Sequence, residues 1–316
     1  MPLGSQSQKV NELLKAKGLD LTQPIEQLRA QITRNQEAFA GPSPSVAEVR
    51  DLALPGPAGI VAARAYRPED ERPSGVLVWL HGGGFAFGSL DESDAVARAL
   101  ARACDCLVVA VDYRLAPEHP FPAGVEDCYA AVRWVAEHLQ ELDAAGLPVA
   151  VGGDSAGGSL AAATALMARD RGGPELALQL LVYPMTCCAP LELESRRAHA
   201  EGLFATLAAI EWLWETYLDG ADGTHPLASP LLAESLAGLP PALVVTAEYD
   251  VLCDEGERYA SRLVAAGVPV TVRRWLGVLH GFLQQGAYVD EAVEGVAWIG
   301  AEVRPALAGV AAGDPV

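Results

Sequence analysis

Short apolar runs alternate with helical stretches between residues 75 and 274 of this chain. The runs are rich in Val and Leu and are continuous, which is typical of strands that are covered on both faces. They lie at 75–80, 107–112, 148–152, 178–183, 242–247 and 268–274. Helical patterns lie at 91–103, 124–139, 157–170 and 255–266. This rhythm predicts an α/β fold with a mostly parallel central sheet flanked by helices.

The N-terminal segment does not share this rhythm. Residues 1–40 are predicted to be helical, and a stop is expected at Gly41-Pro42. One apolar face of that helical region is formed by Ile25, Leu28, Ile32 and Phe39. Two extended segments follow at 46–54 and 59–66, and the residues at 55–57 between them, Pro-Gly-Pro, indicate a turn.

A long interval without a strand pattern separates Tyr183 from Pro240. Within it, apolar residues share one helix face: Leu203, Leu207, Ile210, Trp214 and Tyr217. We expect residues 186–225 to be an insertion that packs with residues 1–45 as a helical cap. The main domain would then comprise residues 46–185 and 226–316. The alternative is an ordinary amphipathic surface helix of the main layer.

Charge and cysteine usage exclude several classes of protein. The 316 residues include 22 Lys and Arg against 41 Asp and Glu, a net charge of −19, which repels nucleic acid and anionic membranes. Six cysteines without a CxxC spacing predict neither a disulfide framework nor a zinc site. The first residues lack a signal-peptide pattern and no apolar run could span a bilayer, so a cytoplasmic location is predicted.

The pattern GxSxG occurs at 153–157 as Gly-Asp-Ser-Ala-Gly. It lies directly between a predicted strand and a predicted helix, which is the setting of a nucleophile elbow. Small neighbours suit such a strained turn, and the helix N-terminus favours negative charge developing near Ser155. Ser155 is therefore predicted to be a nucleophile. A glycine-rich turn with a capping serine is the alternative.

Three glycines follow the first apolar run, in His81-Gly82-Gly83-Gly84-Phe85. Successive glycines let backbone N–H groups face a ligand, and an acyl-transfer enzyme needs such donors for its tetrahedral oxyanion. The phosphate-binding patterns GxGxxG and GxxxxGK[ST] do not occur here. His81 precedes the predicted nucleophile, so we expect it to hold the loop by hydrogen bonds rather than to act as a base.

A serine nucleophile needs a histidine base and an acid that orients the base. In this architecture the acid and then the histidine follow the serine, which leaves His199, His225 and His280. Only His280 comes just beyond a predicted strand, and the other two fall in the insertion. Asp250 follows a predicted strand and is expected to be the acid. Asp254 is its rival, although it is better placed to cap a helix.

Five motifs together resemble the hormone-sensitive-lipase-like branch of the α/β-hydrolases. They are HGGGF at 81–85, YRLAPEHPFP at 113–122, GDSAGG at 153–158, DVLCDEG at 250–256 and HGF at 280–282. The resemblance covers about residues 70–290 and implies an α/β-hydrolase fold with a helical cap. One departure is VLC at 251–253, where PLR is commoner in the family, and it leaves Asp250 intact.

The same resemblance implies roles for individual residues. Ser155 matches the nucleophile, Asp250 the acid and His280 the base of a catalytic triad. The backbone donors of the oxyanion hole match Gly83, Gly84 and Ala156. The substrate pocket is expected to include Phe85, Leu203, Phe204, Leu207, Trp214 and Phe282.

These roles describe a serine carboxylesterase that acts on short- to medium-chain acyl esters without a metal or cofactor. Two alternatives stay open, namely hydrolysis of amides or arylformamides by the same triad and a non-catalytic ligand receptor of the same fold. The receptor hypothesis is disfavoured, because the related receptors lack the catalytic histidine and His280 is present here. Relatives often dimerise through an edge strand, which here implies a homodimer through 268–274.

Overall fold

An eight-stranded sheet forms the centre of the computed structural model, which describes residues 1–41, 43–69 and 72–310. The expected helix stop at Pro42 and residues 311–316 of the predicted main domain lie outside the described residues. The strands are β1 (Glu48–Gly56), β2 (Gly59–Arg67), β3 (Val76–Leu80), β4 (Leu107–Asp112), β5 (Val149–Asp154), β6 (Leu178–Val182), β7 (Ala242–Tyr249) and β8 (Val270–Leu279).

The strand order is β1-β2-β4-β3-β5-β6-β7-β8. The β1–β2 and β2–β4 pairs are antiparallel, and every pair from β4 to β8 is parallel. All six apolar runs of the sequence are strands of this sheet, and the two extended segments form the β1–β2 hairpin. The prediction of a mostly parallel sheet is therefore confirmed.

Helices cover both faces of the sheet. They are α1 (Ser5–Lys17), α2 (Ile25–Ala40), α3 (Leu90–Cys104), α4 (Ala123–Glu137), α5 (Ala156–Asp170), α6 (Glu194–Ala198), α7 (Leu207–Leu218), α8 (Cys253–Ala265) and α9 (Asp290–Val310). Helices α4, α5 and α8 bury their apolar residues on one face, and α3 and α9 bury theirs on the other.

Strand β3 shows why its apolar run is continuous. Val76, Val78 and Leu80 belong to the core on one face of the sheet, whereas Leu77 and Trp79 belong to the core on the opposite face. Successive side chains of a strand point to opposite faces, so a strand covered on both sides needs apolar residues at every position. All five side chains are fully buried.

Two predicted elements differ from the structure. Residues 1–40 form two helices rather than one helical segment, because α1 ends at Gly18, whose φ of 59° favours glycine, and a turn precedes α2. The last helix, α9, matches no predicted element. Its sequence contains three glycines and Pro305, which weaken a helix signal.

The N-terminal helices contact the segment that precedes α7. The Asn11 side chain donates to the Gly202 carbonyl oxygen at 3.1 Å and accepts from the Phe204 N–H at 2.9 Å. The Arg29 side chain of α2 donates to the carbonyl oxygens of Ala86 and Ala116 in the main layer. These contacts join α1 to the segment before α7, and α2 to the loops that follow β3 and β4.

No helix in the described part of the chain combines the length and the apolar character needed to cross a membrane.

Candidate active site

Ser155 lies at the junction of β5 and α5 in a strained turn. Its φ and ψ are 55° and −118°, a region that residues other than glycine rarely adopt. The turn leaves no room for a side chain at Gly157, because a Cβ there would lie 1.9 Å from the Leu80 carbonyl oxygen. Glycine at this position lets α5 begin directly above β3. The Ser155 hydroxyl is thereby held beyond the strand end.

A hydrogen-bonded chain of three side chains meets at Ser155. His280 Nε2 lies 2.9 Å from Ser155 Oγ, and His280 Nδ1 lies 2.7 Å from Asp250 Oδ2. Three different loops supply these residues, following β5, β7 and β8. In a parallel sheet the carboxyl ends of neighbouring strands share one edge, which is why residues so distant in sequence meet.

The Asp250 carboxylate is fixed on its other side as well. Its Oδ1 accepts a hydrogen bond from the Leu252 N–H at 2.9 Å, while Oδ2 faces His280. Burial disfavours the charged imidazole, but the Asp250 charge and hydrogen bond outweigh it, so the pKa of His280 is raised above its ordinary value. Asp250 therefore stabilises the protonated imidazole that a general base must become.

Gly83 and Gly84, in the glycine loop after β3, border the same cavity as Ser155 and His280. Gly83 and Gly84 have φ angles of 114° and 58°, which favour glycine. A Cβ on Gly84 would lie 2.4 Å from Leu213 Cδ1 of α7, so a side chain there would have to push the Leu213 side chain aside. Among the residues that the structure describes, the N–H groups of Gly83 and Gly84 have no protein acceptor. Ala156 begins α5, so its N–H has no partner within that helix.

His81 makes the contacts expected of a loop anchor. Its Nδ1 lies 2.7 Å from the Gly82 carbonyl oxygen, and its ring stacks on Tyr113 at 4.4 Å between centroids. The Tyr113 hydroxyl donates to the His81 carbonyl oxygen at 2.7 Å. Burial lowers the pKa of His81 to about 4, so the ring is neutral at physiological pH.

A cavity of about 520 Å³ opens above Ser155 beneath α1, α2 and α7. Most of its lining is apolar: Leu14, Leu19, Leu21, Ile32, Phe39, Phe87, Leu203, Phe204, Ala209, Ile210 and Leu213. Polar side chains also reach it: Lys15, Asn35, Gln36, Thr206, Gln284 and Gln285. Within the described residues, no group of three His, Cys, Asp or Glu side chains is arranged to hold a metal ion.

Only two of the six predicted pocket residues, Leu203 and Phe204, line this cavity. Phe85 instead stacks on Tyr217 at 3.8 Å between ring centroids, and Trp214 also contacts it at 5.1 Å. Phe282 packs in the core against Tyr183 and Trp275.

Helix α7 explains the misplaced pocket residues. The predicted face, which includes Leu207 and Trp214, packs against the main core. The neighbouring face presents Ala209 and Leu213 to the cavity, and Ile210 lies at the boundary. Because this helix is apolar on both faces, its periodicity shows that a face is buried but cannot show what covers it.

The rival acid Asp254 has a structural contact of its own. Its Oδ2 accepts a hydrogen bond from the Ser195 N–H at 2.8 Å, and Ser195 Oγ accepts from the Asp254 N–H at 3.2 Å. The carboxylate thus binds the start of α6 rather than capping its own helix α8, which corrects the expectation from sequence. Helix α6 lies in the insertion, so the contact crosses between chain segments that are far apart in sequence.

Two residues near the triad carry contacts that the sequence did not suggest. The Asp154 carboxylate accepts from the Gly82 N–H and from Gln284 Nε2. Asp154 lies inside the GxSxG pattern and Gln284 lies four residues after His280. The position of Asp154 in this pattern and the closeness of Gln284 to His280 indicated that both lie near the site. A single sequence does not show that their side chains form a hydrogen bond.

The fold and the three-residue chain define the class of serine hydrolases built on an α/β sheet. The family described as an alpha/beta hydrolase fold matches residues 77–284. The carboxylic ester hydrolase LipN of Mycobacterium tuberculosis is 46% identical over 274 residues, which cover 84% of this chain and 72% of LipN. The arylesterase of Saccharolobus solfataricus is 39% identical over 271 residues, which cover 85% of this chain and 88% of that protein.

Solved structures agree with these sequence relatives. A hyperthermophilic esterase from the archaeon Pyrobaculum calidifontis superposes with a TM-score of 0.91 at 40% identity, covering 96% of this chain and 99% of that one. The chain belongs to the α/β-hydrolase fold family, in its hormone-sensitive-lipase-like branch.

Proposed function

We propose that this chain is a serine carboxylesterase that hydrolyses small-molecule carboxylic esters. The observation that carries the proposal is the hydrogen-bonded chain from Ser155 through His280 to Asp250, with spacings of 2.9 and 2.7 Å. The names of the relatives, which are carboxylic ester hydrolase, arylesterase and esterase, support the same reaction.

Acylation begins when Ser155 Oγ attacks the ester carbonyl carbon while His280 Nε2 accepts the hydroxyl proton. The carbonyl oxygen becomes an oxyanion, which the N–H groups of Gly83, Gly84 and Ala156 stabilise. Asp250 holds the imidazole in the tautomer whose Nε2 is free to accept, and its charge stabilises the imidazolium. The C–O bond to the alcohol then breaks, and the alcohol oxygen takes the proton from His280.

Deacylation repeats the same steps with water. His280 accepts a proton from the water, whose oxygen attacks the acyl carbon of the ester on Ser155. The second oxyanion occupies the same backbone donors. When this intermediate collapses, Ser155 regains its proton from His280 and the carboxylic acid is released.

The mostly apolar cavity supports a preference for short- to medium-chain acyl esters. Each buried methylene contributes roughly 0.8 kcal/mol, or about a fourfold gain in kcat/KM, while the cavity still has room. A cavity of about 520 Å³ is limited in volume, so additional methylenes beyond that point remain in water or clash.

We therefore expect kcat/KM for a series of 4-nitrophenyl esters to rise with acyl length, reach a maximum at short to medium chains and then fall. Initial rates across the series, measured below the solubility limit of each ester, test this expectation. The 4-nitroanilide of the best acyl group serves as the matched amide. A steady rise through long chains with activation by a lipid interface would indicate a lipase. Faster cleavage of the anilide would indicate an amidase.

The same proposal assigns residues 1–45 and 186–225 to a cap and the remaining segments to the catalytic domain. The contacts of Asn11 with Gly202 and Phe204 support this division, because they join the two cap segments to each other. Both segments also line the cavity.

We also propose that β8 forms a homodimer edge. It is the last strand in the sheet order, and Val272 and Leu276 on it are 44% and 49% exposed. An exposed apolar edge strand readily pairs with another chain. Light scattering after size exclusion should show a dimer for the wild type and a monomer for Val272→Lys/Leu276→Lys. The control is Ile60→Lys, because Ile60 is 72% exposed on the opposite side of the sheet. A monomeric wild type would refute this edge contact.

The charge of −19 supports a small-molecule substrate and argues against nucleic-acid or membrane partners. All six cysteines are free, which supports a reducing, cytoplasmic location. Fractionation of the source cell would test that location.

A further inference from the structure

Asp154 is a buried carboxylate that none of the catalytic steps above uses. It is the last residue of β5, directly before Ser155, and is 3% exposed. Its backbone is paired with Val182 of β6 in the middle of the sheet. A charged group at this position needs partners, because burying an unpaired carboxylate is strongly unfavourable.

Both oxygens of this carboxylate bind loops of the site. Oδ1 accepts a hydrogen bond from the Gly82 N–H at 2.9 Å, and Oδ2 accepts from Gln284 Nε2 at 2.8 Å. Gly82 directly precedes Gly83, whose N–H is a proposed oxyanion donor. Gln284 lies in the short 3-10 helix that follows His280. One side chain thus joins the oxyanion loop to the loop of the base.

The fit around Gly82 is close. A Cβ at this position would lie 2.6 Å from Asp154 Oδ2, so a residue other than glycine would push the carboxylate away. The Gly82 carbonyl oxygen is held at the same time by His81 Nδ1 at 2.7 Å. With its N–H and its carbonyl both held, Gly82 has little freedom to rotate the peptide that carries the Gly83 N–H.

We propose that Asp154 is a positioning residue, which fixes the Gly82–Gly83 peptide for oxyanion binding and seats the loop that carries His280. The proposal rests on the ester hydrolysis proposed above. Asp154 is at the end of β5 and directly precedes Ser155. Its carboxylate therefore holds the Gly82 loop and the Gln284 loop at fixed positions relative to Ser155.

The charge of Asp154 also acts on the base. His280 is faced by Asp250 after β7, Asp154 at the end of β5 and Glu255 in α8, and its ring contacts Tyr183. Burial raises the pKa of Asp154 to about 6, while its hydrogen bonds and His280 oppose that rise. Above that pH the Asp154 carboxylate favours the protonated imidazole. Removing the charge should therefore lower the pKa of His280.

Three variants separate these effects: Asp154→Ala, Asp154→Asn and Gln284→Ala. Asp127→Asn is the matched control, because Asp127 of α4 is an equally buried acid that binds Arg114 and does not line the cavity. For each protein, kcat and KM for 4-nitrophenyl butyrate are measured across roughly pH 5–8, where histidine titrates. Active sites are counted with a fluorophosphonate, and thermal unfolding is recorded.

Asp154→Ala should lose about 10²-fold in kcat per labelled site, with KM changed only a few-fold, since misplacing reacting groups by about 1 Å has an effect of that size. Asp154→Asn keeps an acceptor for the Gly82 N–H, so its kcat should fall less than that of Asp154→Ala. Its acid limb of kcat/KM, which reports His280 in the free enzyme, should move to lower pH. Gln284→Ala should lower kcat without moving that limb to the same extent. Asp127→Asn should change stability alone.

The positioning role is overturned if folded Asp154→Ala retains wild-type kcat, or if Asp127→Asn loses as much kcat per labelled site. If Asp154→Ala does not fold, wild-type kcat in both Asp154→Asn and Gln284→Ala overturns it instead. A wild type that hydrolyses the ester and is labelled at Ser155 keeps the proposed function even then. A wild type that does neither refutes the esterase proposal, and the role of Asp154 with it.

Discussion

The Ser155→Ala variant should lose about 10⁴-fold or more in kcat for ester hydrolysis, because it lacks the hydroxyl that forms the acyl-enzyme. Its thermal unfolding should stay close to that of the wild type. The hydroxyl forms a hydrogen bond with His280 Nε2 at 2.9 Å, and that imidazole borders the cavity. A lost hydrogen bond of this kind contributes about 1 kcal/mol or less.

Stopped-flow and steady-state rates with a 4-nitrophenyl ester measure this loss, and a fluorophosphonate label followed by mass spectrometry shows which serine reacts. Ser93→Ala is a suitable control, because Ser93 is a buried serine of α3 whose Oγ donates to the Ser89 carbonyl oxygen. It should retain wild-type activity. If Ser155→Ala kept a tenth of the wild-type kcat, Ser155 would not be the nucleophile.

Asp250→Asn should lower kcat by roughly 10³–10⁴-fold. An amide at this position can present its NH₂ to His280, which favours the imidazole tautomer whose Nε2 carries a proton and cannot accept one from Ser155. The substitution also removes the negative charge that raises the pKa of His280. The acid limb of the remaining kcat/KM should therefore lie at lower pH than in the wild type. The pH dependence of kcat/KM measures both effects in one experiment.

Asp254→Asn is the matched variant four residues away. In the wild type the Asp254 carboxylate accepts a hydrogen bond from the Ser195 N–H, so the substitution should lower the free energy of unfolding by about 1 kcal/mol. The kcat should stay within a few-fold of the wild type. Chemical denaturation and initial rates on the same samples compare the two variants. If Asp254→Asn lost the activity and Asp250→Asn only the stability, the acid would have been assigned to the wrong carboxylate.

The parallel sheet and the family could be predicted from the sequence because both depend on local patterns. A strand buried on both faces must be apolar at nearly every position, and β3, β4 and β6 carry that mark, whereas the edge strand β8 includes the exposed polar residues Thr271 and Arg274. The sharp turn at Ser155 needs small residues at fixed offsets, so its spacing is visible in one short stretch. Asp250 and His280 could be chosen because the fold constrains where chemistry follows a strand.

The lining of the cavity could not be predicted in the same way. Burial against the core and burial against a cavity select the same apolar residues, so α7 carried no signal to distinguish Trp214 from Leu213. The choice depends on how α7 rotates above the glycine loop, where Leu213 sits against Gly84. In the folded protein, Ile210, Trp214 and Tyr217 of α7 pack against the main core, and Tyr217 stacks on Phe85.

The sequence by itself determined the order of the strands in the chain, the strained serine turn and the residue types of the triad, since each depends on neighbours a few positions away. Only the tertiary structure decided that Asp154 joins the loops of Gly82 and Gln284, and that Asp254 binds the start of α6. A carboxylate has the same chemistry wherever it stands in a sequence. Its partner is chosen by which loops the sheet brings within about 3 Å of it, and that distance is a property of the packed fold.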